Sequence, residues 1–341
     1  MRLVFAGFGT VGQGLAELLI EQREALRARY GFEWTVTGIS TGSHGCAADP
    51  NGLDLGAALS LIRAGGTIDS LGTGEPFAEH GSGDVLLEMT PTDLAHPEAA
   101  TATIRAALAR GLHVVSANKG PIARHLRSLE ALADERGVRL LFEATVMAGT
   151  PILNLVRETL AGATLNEVRG ILNGTTNFIL SEMGAGRTFA DALAEAQRRG
   201  WAEAVPDADV LGWDTLAKTV ILANVVLGGD LAPEDIPCQG ITGVTQEDIA
   251  IATAAGQCIK LIGRAWRDGS RVHATVGCER ISLADPLAHA GGTTSAATLY
   301  SNPLGAVTVF GPGAGGRETG FAMLSDLLAI HRAGRSPAPL C

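Results

Sequence analysis

Apolar and polar positions change their period along the chain. Residues 2–6 are apolar and strand-like, a glycine-rich hexapeptide follows, and a helix-like run, Leu15-Ala16-Glu17-Leu18-Leu19, comes next. The segment 34–40 predicts a second strand. Residues 84–89 predict a short apolar strand that Thr90-Pro91-Thr92-Asp93 breaks. A helical stretch near 97–110 ends at Gly111, and His113–Ser116 reads as a strand ending at Asn118-Lys119-Gly120-Pro121. A helix over roughly 122–136 and a strand at 139–143 follow. Strands alternating with helices indicate an α/β unit with a mostly parallel sheet covered on both faces. The period changes near residue 150. A long irregular middle section leads to a helix near 212–227, then to strand-like segments at 272–276 and 306–310. The tail carries a glycine-rich turn at 311–316 and a helix near 319–332, and proline clusters only at 336–339.

Composition narrows the class. A chain of 341 residues suits about two domains, and 46% hydrophobic with 18% charged residues is a globular balance. A net charge of −10 gives no general attraction to nucleic acid or anionic membrane, so neither is expected as a partner. No apolar run reaches the roughly 18 residues of a membrane helix, and the start has no signal-peptide pattern. Five scattered cysteines without a C-x-x-C pair fit a reduced, cytoplasmic chain. The chain holds three lysines, Lys119, Lys218 and Lys260, while arginine supplies nearly all other positive charge. A lysine kept in so lysine-poor a chain points to what arginine does not do, which is titrate.

The hexapeptide Gly7-Phe8-Gly9-Thr10-Val11-Gly12 lies between a strand and a helix, the arrangement of a Rossmann-type dinucleotide site. The first glycine allows the tight turn, the second lets the backbone approach a pyrophosphate, and the third lets helix and strand pack closely. Alone, the hexapeptide is also compatible with a plain strand–helix turn. Ser40, Thr90, Ser116 and Lys119, at or just past strand ends, are assigned to the same cofactor surface, because ligands bind beyond the carboxyl ends of such strands. The second strand ends in Ser40-Thr41-Gly42-Ser43-His44-Gly45, with neither an acid for a ribose hydroxyl nor an arginine. Hydroxyls and a histidine favour NADP, and a solvated loop leaves NAD usable as well.

A second constellation runs from Arg199 to Lys218. Carboxylates cluster before a helix, and Asp214 and Lys218 stand four apart on one helical face. The bland alternative is an exposed ion pair worth a few tenths of a kcal/mol. The apolar continuation at 219–223 and the scarcity of lysine argue against it. The segment Ile171-Leu172-Asn173-Gly174-Thr175-Thr176-Asn177-Phe178 reads as a strand ending in a helix cap.

These motifs together resemble the homoserine dehydrogenase family from end to end. GFGTVG at 7–12 (reading GFGTVG), SANK at 116–119, EATVMAGTP at 143–151, NGTTNFIL at 173–180, the E-x5-D-x4-D-x3-K block at 203–218 and GPGAGG at 311–316 stand in the family's order. The resemblance implies an NAD(P)-dependent dehydrogenase that reduces L-aspartate 4-semialdehyde to L-homoserine. The implied organisation is a Rossmann-type doubly wound nucleotide-binding domain over 1–145, completed by 310–341. An α+β substrate and dimerisation domain spans 146–309, and a homodimer is expected. Lys218 is the expected proton donor, with Lys119 and Asp214 beside it in the catalytic set. Glu203 and Asp214 are expected to hold the substrate ammonium, with Asp209 nearby in the substrate site and Asn173, Thr175 and Thr176 as further substrate donors. Gly200 and Gly315 border the cofactor. Glu143, Val146, Ala148 and Thr150 match a loop that binds a monovalent cation such as sodium, and oxygen ligation suits a hard cation.

Three departures stand out: Val205 where members often have Asp, Met-Ala-Gly-Thr at 147–150, and Arg-Glu-Thr-Gly at 317–320. Val205 and the atypical tail motivate one rival, a related amino-acid-linked dehydrogenase with altered substrate. The other rival, a non-catalytic dinucleotide sensor, is disfavoured by the presence of Lys218, Lys119 and Asp214. The chain leaves no room for a C-terminal regulatory domain, so feedback inhibition by threonine is not expected.

Overall fold

The computed structural model describes residues 1–72 and 83–334, so the proline cluster at 336–339 lies outside the described residues. The chain divides into two compact units. One comprises Met1–Thr145 with the segment from Gly315 onward, and the other is Val146–Ala314.

The first unit opens with β1 (Arg2–Ala6), α1 (Thr10–Glu21), α2 (Arg23–Tyr30), β2 (Thr35–Ser40), β3 (Cys46–Leu53) and α3 (Leu55–Arg63). It continues with β4 (Val85–Glu88), α4 (Glu98–Ala109), β5 (His113–Ser116), α5 (Lys119–Arg136) and β6 (Leu140–Leu141). Its six-stranded sheet has the order β3-β2-β1-β4-β5-β6. All pairs are parallel except β2 with β3. Strands β1, β4 and β5 are almost wholly buried, which is why they read as short apolar runs. Leu3, Phe5, Leu15, Leu19, Leu87 and Val115 form its core together with residues of the last helix.

Two boundaries differ from the sequence expectation. The helix expected from 122 starts at Lys119, because the Asn118 side chain accepts from Gly120 N and caps it, and Pro121 is tolerated in a first turn. The strand expected at 139–143 is only two residues long and passes into a 3-10 turn at Glu143–Thr145. Strand β3 was not foreseen. Its Asp49-Pro50-Asn51-Gly52 reads as a turn, and the sheet edge is where proline is accommodated in a strand.

The second unit contains β7 (Thr164–Ile171), α6 (Gly174–Gly184), α7 (Phe189–Arg198), α8 (Asp207–Val210), α9 (Trp213–Leu227) and α10 (Gln246–Ala254). The strands β8 (Gln257–Asp268), β9 (Arg271–Ser282), β10 (Thr294–Asn302) and β11 (Gly305–Pro312) complete it. They form an antiparallel sheet in the order β11-β10-β7-β8-β9, with α9 packed across β7, β8 and β9. The middle section expected to be irregular is therefore largely regular. β7 was hidden because its polar residues have partners: Glu167 pairs with Arg264, and Arg169 with Asp285.

The chain's final helix, α11 (Gly316–Ala333), returns to the first unit and lies along α1. The approach is close enough to require glycine. A Cβ at Gly14 would lie 2.4 Å from Gly316 O, and one at Gly320 would lie 2.6 Å from Leu15 N. Among the described residues, no helix is long and apolar enough to cross a membrane.

Candidate active site

In the first unit the glycine turn is built against the end of β4. Gly7 has φ +92°, and a Cβ there would lie 2.6 Å from Met89 O, so both backbone angle and space demand glycine. A Cβ at Gly12 would sit 3.0 Å from Gly7 O, whereas nothing lies within 4 Å of one at Gly9. Phe8 is buried, its ring 5.5 Å from that of Phe5. Helix α1 starts with Thr10 and Val11 and has no side-chain cap and no acid in its first turn. Its first amides are thus left for an anion. A turn with open space at Gly9 beside an uncapped helix start fits a dinucleotide pyrophosphate.

The remaining residues assigned to the cofactor surface sit at neighbouring strand ends. Ser40 ends β2, its carbonyl accepting from Gly7 N. Beyond it, Thr41 Oγ1 donates to Gly45 O and accepts from His44 N, while His44 Nδ1 donates to Gly66 O at 2.7 Å. These two side chains, expected to face a 2′-phosphate, are partly engaged in closing their own loop. Thr90 and Ser116 are joined through Glu88, which sequence reading passed over. Glu88 is fully buried. It accepts from Thr90 N, Thr90 Oγ1 and Ser116 Oγ, with no cation among these donors. Burial pushes its carboxyl above the usual carboxylate range, and the hydrogen bonds oppose that shift. Asn118 Nδ2 donates to Thr90 Oγ1 at 3.1 Å, and Lys119 follows as the first residue of α5. The signal available in sequence was an acid at the end of an otherwise apolar strand, Val85-Leu86-Leu87-Glu88. Gly315, with φ +123°, precedes α11 as its N-cap. Glu143 is buried, and its backbone N donates to Asp326.

In the second unit three segments converge. Lys218 Nζ donates to Asp214 Oδ2 at 2.6 Å and to Leu172 O at 2.7 Å. Lys218 is 7% exposed, so this is a buried pair and not the solvated helical pair of the bland reading. Asn173 Nδ2 bridges the two aspartates, reaching Asp209 Oδ1 at 2.7 Å and Asp214 Oδ2 at 2.9 Å. Its Oδ1 accepts from Thr176 N and caps α6. Asn173 thus organises the carboxylates, and its amide protons are already used. Burial first, and the Asp214 charge next, hold the Asp209 carboxyl above its ordinary range. Thr176 Oγ1 donates back to Asn173, and Thr175 Oγ1 donates to Trp201 O at 2.7 Å.

The structure does not bring Glu203 into this cluster. It is exposed, and its backbone carbonyl accepts from Gln197 Nε2. Gly200 has φ +72° and open space around it. Val205 is 71% exposed. The departure at 317–320 has a packing reason: Arg317 pairs with Glu17 and Glu21 of α1, and Gly320 faces the α1 backbone. In the loop after Thr145, Val146 and Thr150 are buried, and Met147 and Ala148 are left-handed with φ +58° and +46°. Non-glycine residues adopt that conformation at a cost of roughly 1–2 kcal/mol each. Thr150 Oγ1 donates to Pro312 O at 3.1 Å.

Comparison with known proteins agrees with this geometry. Residues 7–143 match the model of the homoserine dehydrogenase NAD-binding domain, and residues 151–328 match that of homoserine dehydrogenase itself. An NAD(+)-dependent homoserine dehydrogenase of Pseudomonas canavaninivorans is 41% identical, over 97% of this chain and 96% of that protein. The homoserine dehydrogenase of Methanocaldococcus jannaschii is 37% identical, over 97% and 98%. Among solved structures, a hyperthermophilic archaeal homoserine dehydrogenase in complex with NADPH superposes with a TM-score of 0.82 at 30% identity, covering 96% of this chain and 97% of that one. On its glycine turn, its aspartate–lysine cluster and these matches along nearly its whole length, the chain belongs to the homoserine dehydrogenase family.

Proposed function

We propose that this chain catalyses the reversible NAD(P)H-dependent reduction of L-aspartate 4-semialdehyde to L-homoserine. The observation that carries the reading is the buried Asp214–Lys218 pair tied through Asn173 to Asp209. The nicotinamide cofactor, held by the Gly7–Gly12 turn and the α1 amides, supplies the hydride that the aldehyde carbon gains. The oxygen gains a proton, for which Lys218 is the donor. Lys119 assists proton transfer, and Asp209 and Asp214 attract the substrate ammonium, while the exposed Glu203 stays outside their hydrogen-bonded cluster. Thr175 and Thr176 line the same helix start. Ser40, Thr90, Ser116, Gly200 and Gly315 belong to the cofactor surface.

The loop 41–45 contains no arginine or lysine. The side chains expected to favour NADP(H), Thr41 and His44, are partly engaged in closing that loop, so NAD(H) is accepted as well as NADP(H). The carbonyls and carboxylate of Glu143, Val146, Ala148 and Thr150 are assigned to a monovalent cation, a reading supported by the left-handed backbone at 147–148. Replacing sodium by tetramethylammonium tests it, unchanged activity and stability arguing against the site. The family resemblance also supports a homodimer in a cytoplasmic setting, and a monomer mass by light scattering would overturn the former.

The decisive experiment follows NADPH and NADH oxidation with aspartate semialdehyde for wild type and Lys218→Ala. Wild-type turnover reduced about a thousandfold in the variant is expected. A folded, cofactor-binding wild type that leaves the semialdehyde untouched would shift the reading to an altered substrate. Nothing specific favours that rival: Val205 points to solvent, and residues 317–320 are occupied with α1.

A further inference from the structure

The third lysine has no place in the chemistry above. Lys260, on β8, is 4% exposed. Its Nζ donates to Asn177 Oδ1 at 2.7 Å, to Ala290 O at 2.8 Å and weakly to Ser181 Oγ at 3.5 Å. All three acceptors are neutral, and among the described residues no carboxylate pairs with it. A buried ammonium without a counter-ion is costly, and an apolar residue of similar volume avoids that cost. Stability alone therefore does not explain a lysine here.

What the ammonium does is gather acceptors. Asn177 turns its Nδ2 to Ala290 O, Gly292 O and Thr294 O at 3.0–3.1 Å, tying α6 to the loop before β10. That loop presses on the first turn of α6, where a Cβ on Gly174 would lie 2.5 Å from Thr293 O. One helical turn before Asn177 stands Asn173, whose carbonyl accepts from Asn177 N. Asn173 bridges Asp209 and Asp214.

We propose that Lys260 is a positioning residue of the substrate site: through Asn177 and the 290–294 loop it fixes the start of α6, and so the Asn173 bridge that spaces Asp209 and Asp214. The inference rests on the activity proposed above. A cation suits the position because it draws two amide and carbonyl oxygens to one point, and a neutral donor cannot bind that many acceptors as strongly.

The test compares wild type with Lys260→Met, which keeps the length and loses the donors, and with Lys260→Gln, which keeps a neutral donor. Each is assayed well below its melting temperature. Lys260→Met is expected to raise the KM for aspartate semialdehyde about tenfold and to shift the pH profile of kcat/KM, with the KM for NADH within twofold of wild type. Lys260→Gln should fall between the two, and it serves as the readout if Lys260→Met does not fold. A lower melting temperature in both variants, with the semialdehyde KM and the pH profile unmoved, would overturn the proposal and leave Lys260 a purely structural residue. An inactive wild type would instead count against the activity itself, which separates the two failures.

Discussion

The glycine turn of the first unit and the carboxylate–lysine cluster of the second make their sites by opposite means. At Gly7–Gly12 the ligand surface is backbone, and what matters is the absence of side chains: a Cβ at Gly7 would strike Met89, and Gly9 opens onto space. At Asn173, Asp209, Asp214 and Lys218 the surface consists of charged and amide side chains from three segments, and what matters is that each has a partner. Damage to the first should appear as weakened cofactor binding. Damage to the second should appear in turnover.

The largest effect that sharpens this contrast is expected for Asp214→Asn. It leaves the Lys218 ammonium buried without its carboxylate, so kcat should drop on the order of a hundredfold. Stability should fall by about 3 kcal/mol, read by denaturant titration. A change confined to the cofactor KM would break the comparison. Next comes Gly7→Ala, which meets both a positive φ and the Met89 carbonyl. Its expected signature is an NADH KM raised about tenfold or more, with about 2 kcal/mol of lost stability. Unchanged cofactor affinity would mean that the turn does not face the pyrophosphate. The smallest effect is a gain: Ala148→Gly, at φ +46°, should stabilise the chain by about 1 kcal/mol by removing a left-handed penalty. A loss instead would show that the Ala148 methyl packs usefully in its buried position.

The contrast also explains what could be read without coordinates. The glycine turn was legible because its requirements are local: strand, spacing and helix are contiguous. The Asp214–Lys218 pair was legible as an i, i+4 spacing, and the scarcity of lysine marked it as more than decoration. The Glu88–Ser116 and Lys260–Asn177 bonds were not legible, because they span 28 and 83 residues and only folding reveals them. The role of Asn173 was half read. Its helix cap follows from local sequence, but its bridge to Asp209 and Asp214 spans 36 and 41 residues. Strands β7 and β8 escaped for the same reason, since Glu167, Arg169, Lys260 and Arg264 look solvated in sequence and are paired or bonded across the fold.

The glycine-lined contact of α11 with α1 bears on how the chain is made. Helix α1 emerges early from the ribosome, but the helix that covers it is encoded after the whole of Val146–Ala314. At ordinary translation rates the roughly 300 residues between the two contacts take on the order of fifteen to sixty seconds. Throughout that time the face of α1 that carries Gly14 stays uncovered, while the intervening unit, continuous in sequence, is free to fold first. The order of completion is thus inverted relative to the order of synthesis: the unit begun first is finished last.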